Sequence, residues 1–331
     1  MKQGQLIGGY TVLTRPTNAD AGKCLWAFAE KGGDQYFIKE FLDPKIPRAD
    51  GMGSVADKER RFAECQRFAA RHERVMTLLP ADHEDAGNLV LAVDFFAEGT
   101  RYYKVTPRVN ASDAVPDELE PRAQIVLLRT LVDSLRLLHR SGIVHGDLKP
   151  ENVLLAKPRQ GPLLIAKLID FDDSYPAGEP PPKDTIGGNP LYGAPEWLGY
   201  VRDGRRGKSL TQAVDMFALG LLIHTYLFGG PPRYGTAHES PAAAVLDGVR
   251  LDWDAGIGGR LRHLLTALTS ADPSTRPDIS TVAEHLAAPD ILTAGEPTPV
   301  ATPATSERVR FNFTARRPAT ARLRINMTSD D

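Results

Sequence analysis

From about residue 9 to residue 106 the chain carries short apolar-rich runs bounded by turn residues. Tyr10-Thr11-Val12-Leu13, Leu25-Trp26-Ala27-Phe28-Ala29 and Gln35-Tyr36-Phe37-Ile38-Lys39 read as strands, with Gly32-Gly33-Asp34 as the hairpin turn between the last two. A loop punctuated by Pro and Gly over 43–53 follows, and the apolar period then becomes helical: Phe62, Cys65, Phe68, Ala69, His72, Val75, Met76 and Leu79 share one face. Two further strands are expected over 89–96 and 101–106. Beyond them the helical period dominates. Ile125, Leu128, Val132, Leu135 and Leu138 make one stripe on a helix that begins near Pro121 and stops at Ser141-Gly142, with later helices over 215–228, over 259–269 and from Ile279. From about Pro289 the pattern lapses. Pro297, Pro299 and Pro303 alternate with Thr298, Thr302 and Thr305, and two basic-apolar segments over 308–313 and 321–326 end the chain. Three regions are therefore expected: strand-rich 1–108 with one long helix, mainly helical 109–288, and a Pro/Thr-rich, basic, flexible tail 289–331.

Composition changes this picture little. A chain of 331 residues buries a large core, and a net charge of −2 favours neither nucleic acid nor an anionic membrane as partner. The basic run from Arg308 to Arg324 reads as a solvated tail rather than a nucleic-acid surface, since few aromatics accompany it. Cys24 and Cys65 form no CxxC pair or disulfide framework, which fits a reducing cytosol, and both read as packed side chains rather than redox centres. The first residues lack an apolar signal core, and the best apolar run, 217–228, is interrupted by Gly220 and His224. A cytoplasmic location is expected.

The chemistry concentrates in His145-Gly146-Asp147-Leu148-Lys149-Pro150-Glu151-Asn152 and in Leu168-Ile169-Asp170-Phe171-Asp172. An Asp, an Asn five residues on, and a second Asp after a hairpin is a spacing able to hold Mg²⁺ and ATP against an acceptor hydroxyl. Phosphoryl transfer needs charge neutralisation and in-line positioning more than covalent help. Asn152 and Asp170 supply the hard oxygens that Mg²⁺ prefers.

An ordered set of motifs extends this: Lys39 in Phe37-Ile38-Lys39, the 147–152 loop, Asp170-Phe171, Ala194-Pro195-Glu196, Asp215 ahead of Leu219-Gly220, and Arg276-Pro277. In that order the chain resembles eukaryotic-type (Hanks-type) Ser/Thr protein kinases from about Tyr10 to Leu286, and its composition suggests a soluble bacterial member. The resemblance implies an α+β, two-lobed protein-kinase-like fold, with a small antiparallel β lobe carrying one long helix and a larger, mainly helical lobe. It implies transfer of the γ-phosphate of ATP, with Mg²⁺ or Mn²⁺, to Ser or Thr of a protein substrate. Asp147 is then the catalytic base, Lys149 faces the γ-phosphate, Asn152 and Asp170 are the metal ligands, and Lys39 holds the α- and β-phosphates. The partner of Lys39 is expected to be Glu73, with Glu64 as the alternative. Val105 to Val109 should form the hinge against adenine, with Leu154 beneath the ring. Glu196 should pair with Arg276, and Asp215 should receive backbone N–H groups of the catalytic loop.

Several departures from the family pattern bear on activity. The phosphate-covering loop reads Arg15-Pro16-Thr17-Asn18-Ala19-Asp20-Ala21-Gly22-Lys23, with Gly22 its one glycine and Lys23 a compensating charge, so weaker nucleotide binding is expected. Gly146 stands where an Arg that clamps a phosphorylated activation loop commonly sits, so activity should not require phosphorylation there. Asp172 replaces the Gly of Asp-Phe-Gly, which should fix the loop in one state, and Asn189 replaces a Thr before Tyr192.

Two other readings share the fold. Small-molecule kinases of the aminoglycoside and choline phosphotransferase type also carry His-Gly-Asp and Asp-Phe-Asp, while Lys149-Pro150-Glu151 and Tyr192-Gly193-Ala194-Pro195-Glu196 speak for a peptide platform. A nucleotide-binding pseudokinase scaffold would fit the depleted glycine loop but not the intact set Lys39, Asp147, Asn152 and Asp170. Thr298, Thr302, Thr305, Thr314 and Thr320 offer acceptors for autophosphorylation at high effective concentration, which would make a docking signal for a phospho-reading partner.

Overall fold

Alternation of side chains builds the first half. In the computed structural model, which describes residues 1–19, 22, 24–48, 50–79, 88–158, 161–205, 207–288 and 290–292, strands β1 (Leu6–Ile7), β2 (Tyr10–Val12), β3 (Cys24–Lys31) and β4 (Asp34–Phe41) run as consecutive hairpins. Helix α1 (Val55–Leu78) follows, then β5 (Asp94–Glu98) and β6 (Arg101–Pro107). The six strands form one antiparallel sheet in the order β1-β2-β3-β4-β6-β5. Ala27, Ala29, Ile38, Tyr103 and Val105 meet Ile7, Tyr10 and Val12 on one face. The other face carries Phe41 and Tyr102 against Cys65, Phe68 and Ala69 of α1, so the long helix covers the side of the sheet from which Lys39 projects.

Residues 89–96 do not all form the expected strand. The Val90 amide bonds the Leu168 carbonyl at 2.9 Å and Leu89 bridges Leu168, so this stretch leaves the sheet to tie it to the large lobe and pairing with β6 begins at Asp94.

The second half is helical. Helix α2 (Pro121–Arg140) starts with Pro at its first position, where no N–H is needed, and buries the stripe Leu128, Leu131, Val132, Leu135 and Leu138. Then come β7 (Ile143–Val144), the hairpin β8 (Val153–Ala156) and β9 (Ile165–Leu168), β10 (Tyr175–Pro176), α3 (Pro195–Asp203), α4 (Ala213–Phe228), α5 (Pro241–Leu246), α6 (Gly259–Leu268) and α7 (Ile279–Ala287). Helix α4 is buried nearly all round, as its lack of a polar face predicts, and ends on Gly229 in the left-handed conformation. The fold is two-lobed, a small antiparallel sheet with one long helix beside a larger helical lobe. No helix among the described residues is long and apolar enough to cross a membrane. The expected tail threonines, the segments 308–313 and 321–326, and Lys23 lie outside the described residues.

Candidate active site

The loop that carries Asp147 is held from below by one carboxylate. Asp215, in the first turn of α4 and 1% exposed, accepts the His145 amide at 2.8 Å, the Gly146 amide at 3.0 Å and pairs with His139 Nε2 at 3.0 Å. This is the backbone role expected of it. Gly146 turns with φ +80°, and a Cβ there would lie 2.7 Å from the Asp173 carbonyl oxygen, so the fold admits no arginine at this place without moving the following segment. His145 Nε2 donates to the Ile169 carbonyl at 3.1 Å and its Nδ1 accepts the Asp147 amide at 3.3 Å. That buried imidazole is a brace, fixed in one tautomer by its two partners.

Asp147 is thereby aimed into the cleft. Its Oδ2 accepts Lys149 Nζ at 2.6 Å and Asn152 Nδ2 at 2.9 Å. Its Oδ1 is buried and has no partner among the described residues. Asn152 also donates to the Asp147 carbonyl at 2.7 Å, so both amide protons are engaged and its amide oxygen is left to accept a cation.

The β8–β9 hairpin brings in Asp170, which adopts φ 62°, ψ 71°. A non-glycine residue in that region is strained and persists only where its surroundings hold it. The short 3-10 turn Phe171–Asp173 follows and places two carboxylates on one ammonium: Lys39 Nζ bonds Asp170 Oδ1 at 2.8 Å and Asp172 Oδ2 at 2.7 Å. The second oxygen of Asp172 bonds Lys104 Nζ at 2.7 Å. Burial alone would discharge Lys39, yet Asp172 and Asp170 outweigh it and raise its pKa. Burial likewise opposes the Asp172 carboxylate, but Lys104 and Lys39 hold it well below the usual range. For Asp170, burial and the Asp172 charge prevail over Lys39 and the pKa rises. Asp173 is pushed up to about 6 by burial and by the charges of Asp147, Asp172 and Asp170.

The expected pair between Lys39 and Glu73 is not formed, and neither is the alternative with Glu64. Both glutamates are exposed on α1. The inward residue is His72, whose side chain is 1% exposed and whose Nε2 lies 3.9 Å from Asp172 Oδ1. One residue along a helix is a rotation of about 100°, and the packing of Phe68 and His72 against Phe41 and Phe95 selects the rotation that turns Glu73 outward.

The hinge also differs from expectation. Val105 is fully buried with Ile38 and Tyr10 on the sheet face opposite Lys104, and its carbonyl accepts the Val93 amide at 2.8 Å, so it does not line the cleft. The two-residue period of β6 is the reason. Val109 and Leu154 are half-buried, Val109 just past β6 and Leu154 on β8. Gly22 is exposed with φ +53°. On the Lys39 face of the sheet, Trp26 stacks on Phe37 at 5.2 Å and edges Phe28 at 5.7 Å, and the Arg108 guanidinium sits 4.1 Å from the Phe28 ring centre. Trp26 Nε1 donates to the Ala19 carbonyl at 2.9 Å, which ties this residue to the aromatic surface.

Below the cleft, Arg276 meets Glu196 through two bonds of 2.7 and 2.8 Å and also donates to the carbonyls of Ala213 and Ser270. Asn189 turns its Oδ1 back onto the Leu191 amide at 2.8 Å, closing its own turn rather than reaching Asp147 or Lys149. Tyr192 is buried with its hydroxyl 3.0 Å from Thr225.

The residues present fit a nucleotide with a divalent cation. The Asn152 amide oxygen, left over by two donated amide protons, and the Asp170 carboxylate beside Lys39 are hard donors of the kind such a cation takes, and Asp147 Oδ1 is without a partner among the described residues. The chain's sequence motifs pointed to Asp147, Lys149, Asn152, Asp170 and Lys39, but not to Lys104, His72 or the role of Asp172. A signal was there. Lys104 stands between the buried Tyr103 and Val105, directly across from Lys39, and two facing ammonium groups demand a carboxylate besides Asp170.

Comparison with known proteins agrees with this geometry. Residues 20–286 match the protein kinase domain family. The chain is 27% identical to calcium-dependent protein kinase 8 of Oryza sativa subsp. japonica, over 84% of this chain and 51% of the relative. It is 28% identical to the liver/testis phosphorylase b kinase gamma catalytic chain of Mus musculus, over 76% of this chain and 60% of the relative. A probable myosin light chain kinase of Dictyostelium discoideum is 30% identical over 66% of this chain and 69% of the relative. The chain spans about half the length of the calcium-dependent kinases it matches. With its lobes, its Asp147 loop and its Asp170 turn arranged as described, the chain belongs to the protein kinase domain family.

Proposed function

We propose that the protein transfers the γ-phosphate of ATP to Ser or Thr hydroxyls of protein substrates. The observation that carries this reading is Asp147: one oxygen is held by Lys149 and Asn152, and the other, Oδ1, is buried without a partner, in the state of an acceptor awaiting a hydroxyl proton. Asn152 and Asp170 are the metal-binding residues, with Mg²⁺ as the ion because two hard oxygens on a site open to phosphate and water suit it. When bound, that ion neutralises charge on the phosphate oxygens. Lys39 orients the α- and β-phosphates, and Lys149 lies next to Asp147, placed to meet the transferring phosphoryl group. Val109 and Leu154 flank the base, and the protein works in the cytoplasm.

A peptide acceptor is favoured over a small molecule by the floor beneath the cleft. The bidentate Arg276–Glu196 pair next to the segment 187–194, and Tyr192 within it, buried and hydrogen-bonded to Thr225, fix this segment. Threonines of the tail are the first acceptors to examine, with a phospho-reading protein as the partner such marks would serve.

The test is transfer of labelled γ-phosphate from ATP with Mg²⁺ to the protein itself and to a generic basic protein, in wild type, Asp147→Asn and Asp170→Ala. Incorporation into Ser or Thr that vanishes in both variants is expected. ATP binding without any incorporation would point to a small-molecule kinase or a scaffold.

A further inference from the structure

Building on the phosphotransfer reading, we propose that Asp172 is the residue that positions Lys39, so that the cleft lysine is aligned by the segment following Asp170 and not by helix α1. Lys39 and Lys104 face each other in the register of β4 and β6. Like charges directly across a sheet repel. Asp172 stands between them and gives one oxygen to each, at 2.7 Å in both cases. Removing that carboxylate leaves two buried ammonium groups and one carboxylate, Asp170, bonded to Lys39.

Helix α1 supplies no substitute. Glu64 and Glu73 are exposed, and the side chain that α1 turns inward is His72. His72 Nδ1 donates to the Phe68 carbonyl at 3.0 Å, which leaves Nε2 as the lone-pair nitrogen, buried and without a hydrogen-bond partner, 3.9 Å from Asp172 Oδ1. A neutral imidazole there neutralises nothing.

The consequence is a change in what controls the lysine. Asp172 follows Asp170 by two residues within one 3-10 turn, so the group that aligns Lys39 moves together with a metal-binding carboxylate. Displacement of α1 leaves both of the Lys39 bonds intact. The position of His72 also shows where a carboxylate on α1 would have to stand.

The experiment compares wild type with Asp172→Gly, with the charge-balanced pair Lys104→Met/Asp172→Asn, and with Asp172→Gly/His72→Glu. Each is measured for ATP affinity by calorimetry, for kcat and the KM for ATP, and for thermal melting. Asp172→Gly is expected to lower kcat/KM by about a hundredfold. The charge-balanced pair is expected to lose about tenfold in ATP affinity while melting close to wild type, because its buried charges still cancel. His72→Glu in the Asp172→Gly background is expected to recover most of the loss, which a merely structural role for Asp172 would not allow. ATP affinity and turnover within about twofold of wild type in Asp172→Gly and in the charge-balanced pair would overturn the proposal, as would losses that follow the melting temperature with no recovery from His72→Glu. A wild type inert toward every acceptor would instead remove the phosphotransfer reading, and the calorimetric series would still decide the role of Asp172.

Discussion

Arg74 of α1 and Glu179, in the segment after β10, meet through two parallel N–H···O bonds of 2.7 and 3.1 Å. The contact joins the long helix to the segment that in the family carries activating phosphates, and here a carboxylate already occupies the arginine. The catalytic loop offers no second clamp, since Gly146 replaces the arginine that would hold a phosphate and its geometry excludes a side chain. Protein shown by mass spectrometry to carry no phosphate between Asp172 and Ala194 should therefore be active. Both partners are more than half exposed, so the pair is screened by salt. Glu179→Arg should lower turnover at low ionic strength with little change in melting, and Arg74→Glu in the same chain should restore it.

Asp147→Asn keeps the shape of the loop and removes the base. The amide can still accept from Lys149 and Asn152 through its oxygen, so melting should stay close to wild type. Turnover should fall by about two to four orders of magnitude, the range for losing a general base. ATP affinity measured by calorimetry should change far less than kcat, because Asp147 meets the acceptor and not the nucleotide. Equal losses in both would move Asp147 from proton acceptor to phosphate binding.

The Glu196–Arg276 pair is a structural prediction. The Arg276 side chain is 0% exposed and makes four hydrogen bonds, two to Glu196 and two to carbonyls. Breaking a buried pair on one side strands the other charge and costs about 3–5 kcal/mol. Glu196→Gln and Arg276→Met should each lower the melting temperature by roughly 10 °C, given about 2–4 °C per kcal/mol for a domain of this size. The double change to Gln and Met should cost less than the sum, since it leaves no lone charge, and calorimetry of the four proteins would measure the coupling.

The loop 145–152, Asp170, Asp215 and the Glu196–Arg276 pair were legible because their order and spacing carry the chemistry wherever the lobes sit. Glu73 was misplaced because the apolar stripe of α1 fixes its face only to within a residue, and the choice between 72 and 73 is made by Phe41 and Phe95, which come from other elements. Val105 failed for the matching reason in a strand, where a shift of one position reverses the face. The strand over 89–96 was shortened by a tertiary bond to Leu168 that no local pattern announces. Helix α5 is only 6 residues long, too short for a helical period to show. Lys104 was visible as a charge in a buried strand, but its meaning required the register that sets it across from Lys39.

His224 makes stability depend on pH. It lies buried on α4 between the rings of Phe228 and Trp253, with Nδ1 donating to the Gly230 carbonyl at 2.7 Å and Nε2 accepting the Asp254 amide at 3.2 Å. Both nitrogens are engaged in the neutral form, and a proton on Nε2 would face an N–H donor. Burial, only partly offset by the Gly230 bond and the Asp254 and Asp252 charges, lowers its pKa below 6.5. Burial and the Lys104 charge lower that of His72 further, to about 3. The unfolded chain therefore takes up protons on these residues below pH 6.5 while the folded chain does not, so stability falls as the pH drops through that window. Each such histidine contributes at most about 1.4 kcal/mol per pH unit of acidification. Asn at position 224 keeps a donor and an acceptor on a smaller side chain and cannot titrate. Urea unfolding at pH 7.5 and at pH 5 should show a smaller loss on acidification for His224→Asn than for wild type. An unchanged difference would mean that His224 is already protonated in the fold and that the bond to the Asp254 amide is not made.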